Sequence, residues 1–474
     1  MAARELTEAQ YGQQKNTFRI ILGPTPWGLT GVGATNPSLE IQRLRKTRVG
    51  SSSDEVGTIY YDAETIAGVT GYNPGQRFNR LLDDCVKDSM CYYLAERERT
   101  SVFDGPLSAA ARIAELASYA LYLCDTHRPD IIVFHNYPHE LFTYILLRAA
   151  GHAGVRTFII HFSVLPWRMR LSYVGKNLEL HSVANPEARS DEQTAHVLGY
   201  FERLRGSHDD AMPVVDRALR KRAGDSFLSL RGELGSLLRS NPIKQLTRVM
   251  LKLRSFRALQ DVIVPHPRGA YVVFFLHYQP EESTLPRGGI FAQQLIAITK
   301  LRSITPADVG ILVKEHPSMF RYDHTLSIVV RNSQFYEFIQ RLRGVYVVPQ
   351  ETDTFTLIDN ARAVATITGT VAIEALARGK PVICFGEAYY KHFSGVTSYR
   401  DILDEPKPFA EPHKSADTRA DLLRECAYSF GRVPSAGSSD IDGQQEAAIM
   451  AYEYLFANVR EVLRISDEER GDLD

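Results

Sequence analysis

Residues 364–390, VATITGTVAIEALARGKPVICFGEAYY, constrain this chain more than any other stretch. A short β-type run at 364–367 meets Thr368-Gly369-Thr370. Residues 371–377 then form a helix that Arg378-Gly379-Lys380 stops, and Pro381 opens a second apolar run at 382–385. Strand, turn, helix and strand in that order make one unit of a parallel α/β sheet. In the turn, Gly369 suits close approach of the backbone to a ligand or a positive φ, and Thr368 or Thr370 suits capping of the helix that follows. A helix start with hydroxyls and free N–H groups is a natural place for phosphate. Glu374 falls one helical turn beyond Thr370, where a carboxylate can accept the hydroxyls of a ribose. The plainer alternative makes Thr370 a cap and Glu374 a first-turn acid matched to the helix dipole.

A second stretch favours the ligand reading. Lys314-Glu315-His316-Pro317 ends another apolar run, 309–313. Open parallel sheets bind ligands beyond the carboxyl ends of their strands, and both polar stretches fall at such ends. His316, with Lys314 beside it, is the candidate partner for a donor phosphate.

At 474 residues the chain has length for two or three domains, and 44% hydrophobic content is ordinary for a globular protein. A formal net charge of −1 argues against a general nucleic-acid binder. The five cysteines, Cys85, Cys91, Cys124, Cys384 and Cys426, make no CxxC pair, which points to a reducing compartment and no zinc site. Residues 1–17 are polar and lack the apolar core of a signal peptide. No run reaches the ~20 apolar residues of a membrane span. The expected location is cytoplasmic, with any membrane contact peripheral.

Taken in order, residues 18–184 alternate strand and helix as a doubly wound domain does. Strands are expected at 18–22, 56–61, 130–134 and 155–160, with helical periodicity at 74–97, 107–126 and 141–150. The Gly/Pro-rich loop 23–37 is no dinucleotide fingerprint, since no G-x-G-x-x-G leads into a helix and Pro24 and Pro26 interrupt the turn. His135, Glu140 and His161 gather at strand ends, but no HxH or HExxH spacing suggests a metal. From 185 to 262 charged helical stretches dominate, at 192–205 and 214–238, and read as a connecting segment whose basic face suits solvent or anionic lipid. Alternation resumes over 263–436, with strands at 271–276, 309–313 and 345–348 and helices at 290–301 and 354–360. Residues 437–474 supply a closing helix, at 441–463, and an acidic tail.

Three ordered motifs, HYQPEES (277–283), KEHP (314–317) and TGTVAIEALARGKPVICFGEAYY (368–390), resemble the bacterial capsule polysaccharide synthesis family. The likeness covers residues 272–393. Members of that family include Kdo transferases of the GT-B fold that use CMP-activated Kdo. The resemblance implies a GT-B-like α/β architecture of two Rossmann-type doubly wound domains facing a cleft. It implies a glycosyltransferase that moves Kdo or a similar acidic sugar from a CMP-linked donor to a surface polysaccharide or glycolipid acceptor. No cofactor, metal or nucleic acid is expected beside the nucleotide-sugar donor, since a helix N-terminus with a His or Lys can stabilise the leaving phosphate without a metal. The His-Pro motif also resembles that of bacterial sialyltransferases. By that likeness His316, with Pro317, meets the donor phosphate, Thr368 to Thr370 meet phosphate or ribose, and Glu374 meets ribose or base. Gln279, Glu281 and Ser283 would line the donor side. Where the family tends to place an acid in the first half, this chain has His161-Phe162-Ser163. The base or nucleophile therefore stays open among His135, Glu140 and His161, and Glu281 and Glu282. Rival readings are a nucleotide-sugar epimerase or CDP-polyol phosphotransferase of related fold, and a non-catalytic polysaccharide assembly factor.

Overall fold

Strands apolar along their whole length need cover on both faces, and parallel strands joined by helices provide it. Ile131 to Phe134 and Tyr271 to Phe274 are such runs, and each is buried throughout. The computed structural model describes residues 17–24, 39–46, 58–61, 63–69, 71–98, 106–175, 178–186, 189–206, 242–264, 269–279, 284–317, 319–320, 331–404, 417–433 and 440–471. The chain forms two units, one of residues 1–188 with 426–474, the other of residues 189–425. Each is built on one sheet.

The first unit's sheet contains β1 (Phe18–Leu22), β2 (Leu39–Lys46), β3 (Thr58–Tyr61), β4 (Ile131–His135), β5 (Arg156–Phe162), β6 (Met169–Val174) and β7 (Leu180–Ser182). Their order is β3-β2-β1-β4-β5-β6-β7, parallel through β5 and antiparallel for β6 and β7. The connecting helices are α1 (Ala63–Val69), α2 (Gln76–Lys87), α3 (Ser89–Arg97), α4 (Pro106–His127) and α5 (Leu141–His152). The continuous helical periodicity at 74–97 is broken at Asp88, which has extended backbone and accepts the Met90 N–H at 2.9 Å. Asp88 also accepts the Tyr144 hydroxyl at 2.7 Å and the Arg148 guanidinium, so the break is anchored to α5.

The second unit holds β8 (Tyr271–Phe275), β9 (Gly310–Lys314), β10 (Val345–Val348), β11 (Ala363–Thr366), β12 (Val382–Cys384) and β13 (Val396–Ser398). All are parallel, in the order β10-β9-β8-β11-β12-β13. This is the doubly wound 3-2-1-4-5-6 order, whose switch point lies between β8 and β11. The first unit follows the same order through β5, with its switch point between β1 and β4. Helices α6 (Asp191–Arg205), α7 (Pro242–Val262), α8 (Gln294–Ile304), α9 (Ser333–Arg341), α10 (Thr354–Asn360), α11 (Val371–Ala377), α12 (Tyr399–Asp404) and α13 (Thr418–Glu425) belong to this unit. Two Rossmann-type units in one chain are the components of a GT-B-like fold.

Residues 189–206 and 242–262, expected in a connecting segment, are part of the second unit. Helix α6 starts in a full capping box between Ser190 and Gln193, and Arg378 ties down its end by donating to the carbonyls of Arg205 and Gly206 at 2.9 and 3.2 Å. The helix expected at 214–238 lies outside the described residues.

The chain then returns to the first unit. Its last helices, α14 (Asp440–Ala457) and α15 (Val459–Gly471), replace the single helix expected at 441–463. Ala447, Ala448, Ala451, Tyr452 and Leu455 pack into the core with Phe158, Ile160, Met169 and Leu171. The return is fastened at β6, where Met169 and Phe430 form an antiparallel bridge. The buried Arg168 guanidinium donates there to the carbonyls of Cys426, Ser429 and Gly431 and to the Ser429 hydroxyl. Removing it strands several buried acceptors. Arg168→Ala is expected to lower unfolding free energy by about 3 kcal/mol in urea titration; a loss under about 1 kcal/mol would show that other donors serve those carbonyls.

Candidate functional site

The second unit's polar motifs meet at the carboxyl ends of β8, β9 and β11, around the switch point. His277 is the first residue with a polar side chain after β8, and it is 6% exposed. Its Nε2 accepts the backbone N–H groups of Ile367 and Thr368, each at 3.3 Å, and lies 3.0 Å from the Thr366 hydroxyl. A ring nitrogen that accepts N–H donors carries no proton, so this network assigns a neutral imidazole protonated on Nδ1. The Thr366 hydroxyl oxygen in turn accepts the Gly369 N–H at 3.2 Å. His277 thus pins the turn after β11 to the end of β8.

That contact explains the glycine. A Cβ on Gly369 would sit 2.8 Å from Thr366 Oγ1 and 3.2 Å from His277 Cε1. Gly369 is not among the positive-φ residues. A positive φ therefore does not account for it, and the missing side chain leaves room beside His277 and Thr366. Thr370 occupies the N-cap position of α11 in helical backbone, makes no side-chain cap bond and is exposed. Thr368 is buried and engaged through its N–H. Tyr390 closes the turn from below, its hydroxyl donating to the Gly369 carbonyl at 2.6 Å.

The KEHP stretch divides into buried and accessible halves. Lys314 is buried, and its ammonium donates to the Thr352 carbonyl at 2.6 Å and the Thr354 hydroxyl at 2.7 Å. Glu315 is fully enclosed. One carboxylate oxygen accepts the His316 N–H at 2.8 Å, and the other accepts Arg331 Nε at 2.9 Å and the Tyr336 hydroxyl at 2.7 Å. Neither Glu315 nor Arg331 exposes any side-chain surface. Arg331 continues the network, donating to Gln279 Oε1 at 3.1 Å and to the His277 carbonyl at 3.0 Å, with its guanidinium 4.3 Å from the Phe335 ring centre. Gln279 passes its own amide to the Ala292 carbonyl. Lys314 and Gln279 are therefore parts of the framework, and the groups left at the surface are the half-buried His316 and the exposed Pro317. The His316 backbone is fixed further by Gln350, which donates to its carbonyl at 2.6 Å, and its ring lies 6.1 Å from that of Tyr278.

Glu374 follows on α11, half-buried. Burial pushes its carboxyl up to about 7, while Lys314 and Arg378 pull the other way. Glu281, Glu282 and Ser283 lie outside the described residues.

Of the first-unit candidates, His135 ends β4 and is buried, and burial pushes its imidazole down to about 4. Glu140 is the N-cap residue of α5 but makes no side-chain cap bond. Glu98 accepts the Leu141 N–H instead, at 2.6 Å. His161 sits inside β5, because that strand runs on to Phe162 and pairs with β6. Its Nε2 is 2.9 Å from the Ser172 hydroxyl. His135 and Glu140 thus flank one loop, while His161 belongs to the sheet. Among the described residues, no group of three or more His, Cys, Asp or Glu side chains is gathered as metal ligands would be. The five cysteines are all free and buried.

Residues 287–424 match the family described as "Capsule polysaccharide biosynthesis protein". No curated protein matches the chain. Similar solved structures include two from Thermosulfurimonas dismutans, the KpsC β-Kdo 2,7 transferase and the KpsC β-Kdo 2,4 transferase. The first is 13% identical at a TM-score of 0.28, covering 70% of this chain and 88% of its own. The second is 16% identical at 0.29, covering 68% and 87%. The UDP-GlcNAc 2-epimerase of Methanocaldococcus jannaschii is 11% identical at 0.23, covering 86% and 98%.

The raised Glu374 pKa has a sign. Between its ordinary value and about 7 the folded chain holds a proton that the unfolded chain has released, so this group's contribution to stability falls as pH rises through that window. Urea unfolding from pH 4.5 to 7.5 should show the wild type losing stability relative to Glu374→Gln; parallel curves would mean the carboxyl ionises normally.

Proposed function

We propose that this chain, whose residues 287–424 are of the capsule polysaccharide biosynthesis family, is a glycosyltransferase. It transfers an acidic sugar, Kdo or a close relative, from a CMP-activated donor to a surface polysaccharide or glycolipid acceptor. The observation that carries this reading is the convergence of His277, His316 and the 368–370 turn on the carboxyl ends of three parallel strands around a switch point, where doubly wound sheets hold nucleotides.

The donor subsite is on the second unit. His316, whose backbone N–H and carbonyl are held by the side chains of Glu315 and Gln350, presents its ring to the donor phosphate. As the bond to the sugar breaks, negative charge grows on that phosphate. A ring N–H of His316 and the hydroxyl of Thr370 stabilise it without reorganising, because the network beneath His316 is already fixed. Glu374 accepts ribose hydroxyls. No metal enters this scheme. The acceptor lies on the first unit, whose His135 and Glu140 are the candidates for deprotonating its hydroxyl. No described helix is long and apolar enough to cross a membrane, and we place the reaction in the cytoplasm at the inner membrane face.

Calorimetric titration with CMP, CDP and UDP tests the donor class. CMP is expected to bind best, and His316→Ala to weaken it by about 10- to 100-fold, the equivalent of about 1–3 kcal/mol for a lost charge-assisted hydrogen bond, with an unchanged melting temperature. Preference for UDP, or wild-type affinity in the variant, would refute this assignment.

A further inference from the structure

The switch point of the first unit holds a residue that neither the sequence motifs nor the family match singles out. Asn136 follows β4 directly with φ +64°, one of three non-glycine residues with positive φ among those described. Its N–H donates to the Ile160 carbonyl at 2.7 Å, extending the β4–β5 pairing by one residue while the chain turns left-handed. Such backbone costs every residue but glycine, though asparagine tolerates it better than most. The loop that follows is held at residues 139–141. Arg97 donates to the His139 carbonyl, Glu98 accepts the Leu141 N–H, and the Thr143 hydroxyl donates to the Glu140 carbonyl at 3.0 Å.

The side chain is as unusual as the backbone. Asn136 is 9% exposed, and its Oδ1 is buried with no hydrogen-bond partner. A buried carbonyl oxygen without a donor is rare in native proteins and demands an account. Strain and an unmet polar group on one residue, at the carboxyl edge where doubly wound sheets bind ligands, point to a site awaiting a ligand. The chemistry of that ligand follows from the amide itself. An amide carries no charge, and burial pushes the adjoining His135 imidazole down to about 4, so neither residue favours an ionised ligand. A hydroxyl both donates and accepts, and so satisfies the Asn136 amide in either orientation.

We propose that Asn136 binds a hydroxyl of an uncharged saccharide or polyol moiety, giving the first unit a carbohydrate subsite of its own. The subsite stands on the geometry of that unit. Only the further step, calling this saccharide the acceptor, rests on the glycosyltransferase reading.

The test uses the full chain as wild type and as Asn136→Gly, which removes both the amide and the strain. Ligand-observed NMR with galactose, N-acetylglucosamine and ribitol at millimolar concentrations reads the subsite, calorimetric melting reads the fold, and CMP titration reads the second unit. The expected result is binding of at least one probe by the wild type and a loss of about tenfold or more in the variant. Asn136→Gly should also melt at a higher temperature and keep the wild-type response to CMP. Undiminished probe binding in the variant, a lower melting temperature, or no probe bound by the wild type would each overturn the proposal. Probe binding lost in the variant while neither protein binds CMP would support the subsite and count against the donor reading alone.

Discussion

The fully buried pair of Glu315 and Arg331 is the interaction on which the second unit's site depends. Two charges taken out of water are tolerated only when every remaining polar group is met. Here the Glu315 carboxylate is shared among Arg331, Tyr336 and the His316 N–H, and Arg331 reaches on to Gln279 and the His277 carbonyl. One ion pair thereby fixes residues after β8 and after β9 in a single hydrogen-bonded frame. His316 sits on its outer face, half-buried, with its backbone held by the frame.

His277 carries the frame across the switch point. Its carbonyl belongs to the Arg331 network and its ring to the turn after β11, so the ends of β9, β8 and β11 are joined through one residue. Gly369 is the steric condition for that joint, since a side chain there would collide with Thr366 and His277. The first unit repeats the strand order with different chemistry. Its switch point offers a neutral histidine and a strained asparagine where the second offers an accessible histidine, a hydroxyl-bearing turn and a carboxyl that titrates near 7. We propose different ligands for the two edges, one neutral and one anionic.

Most of the strand framework was legible in the sequence because fully buried parallel strands read as unbroken apolar runs, as IIVF of β4 and YVVFF of β8 do. β2, LEIQRLRK, was not, since its charged residues interrupt the apolar pattern. β6 and β7 escaped because antiparallel additions after a doubly wound core leave no helix between strands as a cue. Within the site, periodicity located KEHP and TGT but could not divide buried from exposed. Lys314 and Gln279 look like ligand contacts in one dimension and serve the framework in three. Glu315 carried a signal that could have been used, an acid directly after a buried strand and before a histidine. Arg331 carried none, because its partner is remote in the chain. Nothing in the sequence marks the left-handed turn at Asn136, since asparagine is also common in ordinary loops.

We propose that the Glu315–Arg331 frame holds His316 against the phosphate of a cytidine nucleotide. A crystal structure of the full chain with CMP tests it most directly. The phosphate is expected within hydrogen-bonding distance of His316 and beside the 368–370 turn, with the ion pair unmoved. A nucleotide bound elsewhere on the chain, or a phosphate turned away from His316, would contradict it.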